Sequence, residues 1–480
     1  MLFNSLDFVI FLPLVFILYW FVFNRSLTNQ NILLITASYV FYGWWDYRFL
    51  SLIIFSSALD FILANKISST SIQKNKKAFL YISLSINLGL LMVFKYFNFF
   101  IDSFANAFSF FGIPIQTTSL EIILPVGISF YTFQTLSYTI DVYRGNLKAT
   151  KNITSFFAFV SFFPQLVAGP IERATNLLPQ FQKAREFKYS NAVNGLRQVL
   201  WGLIKKVVIA DNCASIVNEI FDNYATEPSG MLIIGAIFFA FQIYGDFSGY
   251  SDMAIGFARL FGFQLMRNFA FPYFSRDIGE FWRRWHISLS TWFRDYLYIP
   301  LGGSKGTIWK KIRNVFIIFI VSGFWHGANW TFIIWGALNA IYFLPLLLLN
   351  KNRKNLDNIK STYYFPPVRD FFTIPLTFML TCLAWIFFRA DSVQTAFTYI
   401  GHIFNYQYYT TFNFSYELKM TSVLIIVFIL IEWLNKHKEH VLENIDKKMP
   451  RWINWSIYLL ISFIIFIFGG NQQDFIYFQF

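Results

Sequence analysis

The sequence predicts an all-α polytopic membrane protein, and three observations carry that prediction. Hydrophobic side chains make up 56% of the 480 residues and Asp, Glu, Lys and Arg only 14%, against about 25% charged residues in soluble domains. Mean hydropathy is +0.47. The apolar residues also fall in long uncharged runs, the signature of membrane-spanning helices. Such a composition excludes disordered, fibrous and nucleic-acid-wrapping classes, so the net charge of +13 reads as membrane orientation and not as a nucleic-acid surface.

In chain order the runs are Phe8–Phe23, Ser26–Trp45, Phe49–Leu59, Ala78–Phe94, Ile122–Ile140, Asn152–Ile171, Pro228–Gly245, Asn314–Asn350, Phe371–Phe388, Met420–Ile431 and Trp452–Gln473. A helix needs about 20 residues to cross, and several runs are short or broken by proline, so about 9 to 12 spans are expected. The first run has neither a cationic flank nor a small-residue cleavage site and reads as a retained span. Lys66–Lys77, Arg144–Lys151, Lys351–Arg369 and Lys436–Arg451 concentrate positive charge. Placing all four inside puts the N-terminus outside. No internal period and no separable soluble domain stand out, so residues 1–480 are expected to form one membrane domain.

Residues 267–313 break this texture with nine cationic and three acidic side chains, too many for a span. Within them Trp282, Trp285, Leu289 and Trp292 recur at helical spacing, with Arg283 and Arg284 turned away, which predicts an interfacial amphipathic helix over Arg276–Arg294. His286 lies at the margin of the aromatic face. On pattern alone the simpler reading is a packed histidine bonded to a backbone carbonyl.

The second candidate lies inside a run, in Val321–Trp330. Ser322, His326 and Asn329 fall at i, i+4 and i+7 as a polar stripe, while Gly323 and Gly327 form a GxxxG step open to another backbone. A charged group at such depth costs about 2.5–3.5 kcal/mol or more, so His326 is expected neutral and competent as a general base. A histidine that merely bonds a neighbouring helix is the alternative. Asp246 and Asp252 also interrupt apolar sequence, and the reading favoured for them is architectural, as acceptors for arginines of residues 267–313. Glu172 and Arg173 read as a further buried pair.

Other chemistries lose local support. Cys213 and Cys382 belong to no CxxC or Cys/His ligand spacing, so no metal site is expected. There is no GxGxxG, GxxxxGK[ST] or GxSxG. The triplets at Asn152, Asn329 and Asn413 fit the glycosylation pattern only as chance would allow.

Six blocks in order, Leu124–Phe130 (LPVGISF), Phe163–Ile171 (FPQLVAGPI), Tyr244–Asp252 (YGDFSGYSD), Phe281–Ser290 (FWRRWHISLS), Tyr298–Gly303 (YIPLGG) and Phe324–Gly327 (FWHG), make the sequence resemble the membrane-bound O-acyltransferase family. The likeness is to its bacterial branch of alginate and peptidoglycan O-acetylases and teichoic-acid D-alanyl transferases, and it runs almost end to end. The closing Phe475–Phe480 resembles the aromatic tail of the alginate-acetylase type.

The resemblance implies a ring of helices, with interfacial and re-entrant ones, around a central tunnel that meets the acceptor at the active-site histidine, His326. His286 matches the position where eukaryotic relatives often carry Asn or Asp. Ser322, Asn329, Trp325, Trp282, Arg283 and Arg284 become candidate substrate contacts. No bound cofactor is implied, since the acyl thioester, acetyl-CoA first among them, is a substrate. The implied surroundings are a bacterial inner membrane, an extracytoplasmic glycan and a secreted or membrane-anchored SGNH-like acetyltransferase as relay; nucleic acid is not expected. D-alanyl transfer to teichoic acid from a carrier protein is the nearest alternative. A proton-coupled transporter or flippase is the rival from another class, though paired halves with matching broken helices are not apparent in the sequence.

Overall fold

The structure of the protein, a computed structural model, describes every residue except 111, 113–119, 121, 122, 168, 357–366, 406, 408–413, 448, 449 and 477–480. All regular elements among the described residues are helical, and six helical stretches are long and apolar enough to cross a bilayer: Leu27–Ser69, Gln73–Phe110, Ser229–Leu260, Trp330–Leu348, Val368–Arg389 and Arg451–Phe468. The chain is therefore a multi-pass all-α membrane protein. Its contacts divide it into two compact units.

One unit comprises Met1–Gly195 and Phe257–Met266. Helix α1 (Leu6–Ile17) starts where the Ser5 hydroxyl accepts the Phe8 N–H, and α2 (Leu27–Asp46) where Ser26 accepts that of Asn29, as N-caps do. After α3 (Leu50–Ser69), α4 (Gln73–Leu91) and α5 (Phe97–Phe110) comes α6 (Ile128–Arg144), buried on nearly every face. It leaves a left-handed Gly127, at φ +74°, where a Cβ would sit 2.9 Å from the Leu166 carbonyl oxygen. Only glycine meets both conditions. Between α3, α4 and α6 the buried Asp60 carboxylate accepts from Ser83, Asn87 and Thr139.

The proline-containing run Asn152–Ile171 forms two short helices, α7 (Ile153–Ser161) and α8 (Phe163–Leu166). Phe162 leaves helical geometry and Pro164 opens the next turn. At about 1.5 Å per residue, α7 is far too short to cross. Asn152 caps it by accepting the Ser155 N–H, which accounts for that triplet locally. Glu172 is fully buried and accepts from the Met266 N–H and the Asn176 amide. Helix α9 (Ala174–Phe181) follows, and then α10 (Tyr189–Leu203), which belongs to this unit as far as Gly195.

The other unit comprises Leu196–Gly256 and Arg267–Phe480. It contains α11 (Asp211–Asp222) and, as far as Gly256, α12 (Ser229–Leu260), which runs well past the end of the apolar run at Gly245. The short α13 (Ile278–Arg284) and α14 (Ile287–Phe293) precede α15 (Ile308–His326) and α16 (Trp330–Leu348), which divide the run Asn314–Asn350 between them. Helices α17 (Val368–Arg389), α18 (Val393–Phe404), α19 (Tyr416–Asn435) and α20 (Arg451–Phe468) complete it. Beyond α20 the chain is non-helical and returns to the interior, where Phe475 and Ile476 are buried. The rest of the expected aromatic tail, 477–480, lies outside the described residues, as does Asn413.

Candidate active site

The expected amphipathic helix over Arg276–Arg294 is broken at the residue of interest. His286 adopts a left-handed backbone, φ +43°, between α13 and α14, a conformation uncommon outside glycine. What holds it is Asn268. The Asn268 carbonyl accepts the Ile287 N–H at 2.9 Å, and its side-chain oxygen accepts the Ser288 N–H and hydroxyl at 3.3 and 2.9 Å. One residue pair away, the Ala270 N–H donates to the Arg284 carbonyl at 2.9 Å. The break re-phases the helix: Trp285, Leu289 and Trp292 are buried as expected, but so is Arg284, which was expected to face away. Its guanidinium binds Glu280 at 2.7 Å, and Arg276 grips the same carboxylate from the other side at 2.9 Å.

His326 ends α15. The polar stripe expected there does not continue, because Gly327 leaves the helix with an extended backbone and Asn329 instead caps α16, accepting the Thr331 N–H at 3.0 Å while its amide donates to the Asp391 carbonyl at 2.9 Å. The close-packing step also differs from the expected Gly323–Gly327. Gly323 and Gly336 meet across α15 and α16: a Cβ on Gly323 would collide with the Phe332 carbonyl oxygen, and one on Gly336 with that of Phe319. This crossing fixes where α15 presents its last residue.

The two histidines come together. Their ring centroids are 6.3 Å apart, and both rings are almost wholly enclosed, 1% exposed for His286 and 3% for His326. Phe247 meets the His286 ring edge-on at 4.7 Å and Trp325 lies at 5.9 Å. Trp325, Trp335 and Phe388 surround His326 at 5.0, 5.1 and 5.3 Å. Burial pushes the His286 imidazole down to about 3 by desolvation, so it stays uncharged at neutral pH. Trp282 links this wall to α16: its indole N–H donates to Asn339 at 3.2 Å, whose amide donates to the Trp335 carbonyl at 2.8 Å.

A cavity of about 300 Å³ approaches from one side. Its lining includes Trp282, Arg283, Arg294, Ser322 and Arg353, but neither histidine. Ser322 stands one turn before His326. Arg283 is tethered by the Asn352 and Asn355 carbonyls at 3.1 and 3.0 Å.

A family model described as MBOAT, membrane-bound O-acyltransferase family, matches residues 147–388. The chain belongs to the membrane-bound O-acyltransferase family. It is 40% identical over 433 residues to a probable alginate O-acetylase, AlgI, of Azotobacter vinelandii, covering 90% of this chain and 83% of that one. It is 32% identical to the peptidoglycan O-acetyltransferase of Helicobacter pylori, covering 100% and 98%. A teichoic acid D-alanyltransferase of Streptococcus thermophilus is 29% identical over 53% of this chain and 67% of its own.

In this acyltransferase Asp246 and Asp252 are paired, though not with the expected arginines. Lys206 Nζ lies 2.8 Å from Asp246 and 2.9 Å from Asp211, and Lys205 Nζ lies 2.9 Å from Asp252 and 3.5 Å from Glu432. Asp246 also accepts the Ile476 N–H at 2.6 Å. The lysines sit on the π-helical turn Ile204–Ala210, and compensation of both carboxylates is what lets α12 run through them. Sequence reasoning missed Asn268, Asn339, Trp335 and Phe388. Asn339, a lone amide in an apolar run, carried a signal; the two rings carried none among so many aromatics.

Proposed function

We propose that this acyltransferase carries an acetyl group from a cytosolic thioester, acetyl-CoA, to an extracytoplasmic hydroxyl, with His326 as general base. The observation that carries this reading is the pair of enclosed imidazoles 6.3 Å apart, on two elements positioned independently. His326 takes the proton of the acceptor hydroxyl as its oxygen bonds to the acyl carbon; the carbon–sulfur bond breaks, and the departing thiolate recovers a proton from the imidazolium. His286, uncharged, donates a ring N–H toward the developing oxyanion. The donor's phosphates are met by Arg283, Arg294 and Arg353 at the cavity, leaving its thioester about one helical turn, 5.4 Å, from Ser322 to His326. Trp282 lines this cavity beside the donor, whereas Trp325, Asn329 and Arg284 lie outside its lining and act as positioning residues.

An acetyl group is favoured over D-alanine because the relatives named as O-acetylases cover nearly the whole chain, whereas the D-alanyltransferase covers about half. The acceptor is a glycan hydroxyl, reached directly or through an SGNH-like acetyltransferase outside a bacterial inner membrane, with the N-terminus on that outer side. Incubating membranes that contain the protein with acetyl-labelled acetyl-CoA or with a D-alanyl-charged carrier separates the readings. Base-labile label on glycan from acetyl-CoA supports acetyl transfer. Label only from the carrier moves the protein to the alternative, and label from neither removes the enzymatic proposal.

A further inference from the structure

A second cavity, of about 250 Å³, lies within the unit Met1–Gly195 with Phe257–Met266 and has no part in the chemistry above. Four cations line it, Lys183, Arg185, Lys188 and Arg259, with Glu186 as the one acid and Trp20 on its wall. Arg185 is fixed in place by rings and neutral oxygens. Its guanidinium lies over Tyr19, Phe181 and Phe263 at 5.5, 5.9 and 5.0 Å, and its Nη2 donates only to neutral oxygens, of Gln30 at 3.2 Å and Asn31 at 2.9 Å. Among the described residues no carboxylate forms a salt bridge with Lys183, Arg185 or Lys188. Fixing a half-buried guanidinium on three ring faces without a counter-charge is costly unless an anion completes it.

The setting specifies which anion. Trp20 donates its indole N–H to the Leu260 carbonyl at 3.0 Å, which fixes its ring on the wall of the hollow. Next to it Phe21, Val22 and Phe187 expose 74%, 55% and 48% of their surfaces, so apolar side chains that seek hydrocarbon border a cationic hollow. A soluble anion has no use for that rim. Basic pockets at helix ends beside the hydrocarbon boundary suit lipid headgroups. We propose that this hollow binds the phosphate of an anionic phospholipid, with its acyl chains lying along Phe21, Val22 and Phe187.

The test uses the full-length protein reconstituted in nanodiscs of equal phosphatidylglycerol and phosphatidylcholine, released and weighed with bound lipid by native mass spectrometry. Phosphatidylglycerol should be retained in preference to phosphatidylcholine. The preference should fall about 25-fold in the double variant Lys183→Ser/Lys188→Ser, about fivefold for each cation near an anionic headgroup. Both side chains are exposed, so that variant does not endanger folding, and Arg185→Gln provides the stronger perturbation. Equal retention of the two lipids, or a preference unchanged in the double variant, overturns the proposal. So does displacement of phosphatidylglycerol by inorganic phosphate at equal concentration, which would make this a soluble-anion site.

Discussion

The imidazoles of His286 and His326 lie with ring centroids 6.3 Å apart, brought there by unlike devices. His286 is swung inward by a left-handed backbone that Asn268 clamps, and His326 is delivered by the end of a helix whose position a glycine crossing sets. Each device can be broken alone.

The backbone at His286 discriminates among replacements. Asn tolerates left-handed geometry, whereas a β-branched residue does not. His286→Asn should therefore keep the fold, while His286→Val should lower thermal stability in detergent by about 1–3 kcal/mol of strain. Equal melting of the two variants would show that the kink is not enforced.

Protonation of His286 sets an acid limit. Desolvation lowers its folded-state value to about 3, below the ordinary value of about 6.5 in the unfolded chain. Between those values the unfolded state binds more protons, so stability is full above about pH 6.5 and falls as pH drops toward the folded value, by up to about 1.4 kcal/mol per pH unit. The wild type should lose melting temperature between pH 6 and pH 4 more steeply than His286→Asn. Parallel curves would remove His286 as the source.

The crossing of α15 and α16 leaves no room for a side chain at Gly336, where a Cβ would meet the Phe319 carbonyl oxygen and the Ile320 backbone. Gly336→Val should cost about 1–3 kcal/mol from overpacking and displace His326, so acyl transfer should fall further than the stability loss alone explains. Comparing turnover per folded molecule with the melting shift checks this.

Lys206 compensates Asp211 and Asp246 together. Removing it in Lys206→Met leaves two buried carboxylates without their cation, a change expected to cost about 3–5 kcal/mol and to reduce the level of folded protein in membranes. A normal level and melting temperature would show that another group neutralises them.

The sequence carried the helical class and the membrane setting, and it singled out the two histidines whose rings the fold brings within 6.3 Å, because composition and short blocks of unusual residues survive without three-dimensional information. Periodicity failed where the backbone departs from a continuous helix. The aromatic spacing from Trp282 to Trp292 cannot reveal that His286 is left-handed, since the cause is Asn268, earlier in the chain. Likewise Ser322, His326 and Asn329 match helical spacing although Asn329 belongs to the cap of the next helix. The partners of Asp246 and Asp252 were misplaced because charge alone did not distinguish nearby arginines from Lys205 and Lys206, which a π-helical turn directs inward.

The central claim is tested most directly by the ester content of surface glycans in cells producing His326→Ala, with the membrane level of the variant measured in parallel. Loss of a positioned general base predicts a fall in acyl transfer of about 10²–10⁴-fold at an unchanged protein level. Wild-type ester content at that level would contradict the account.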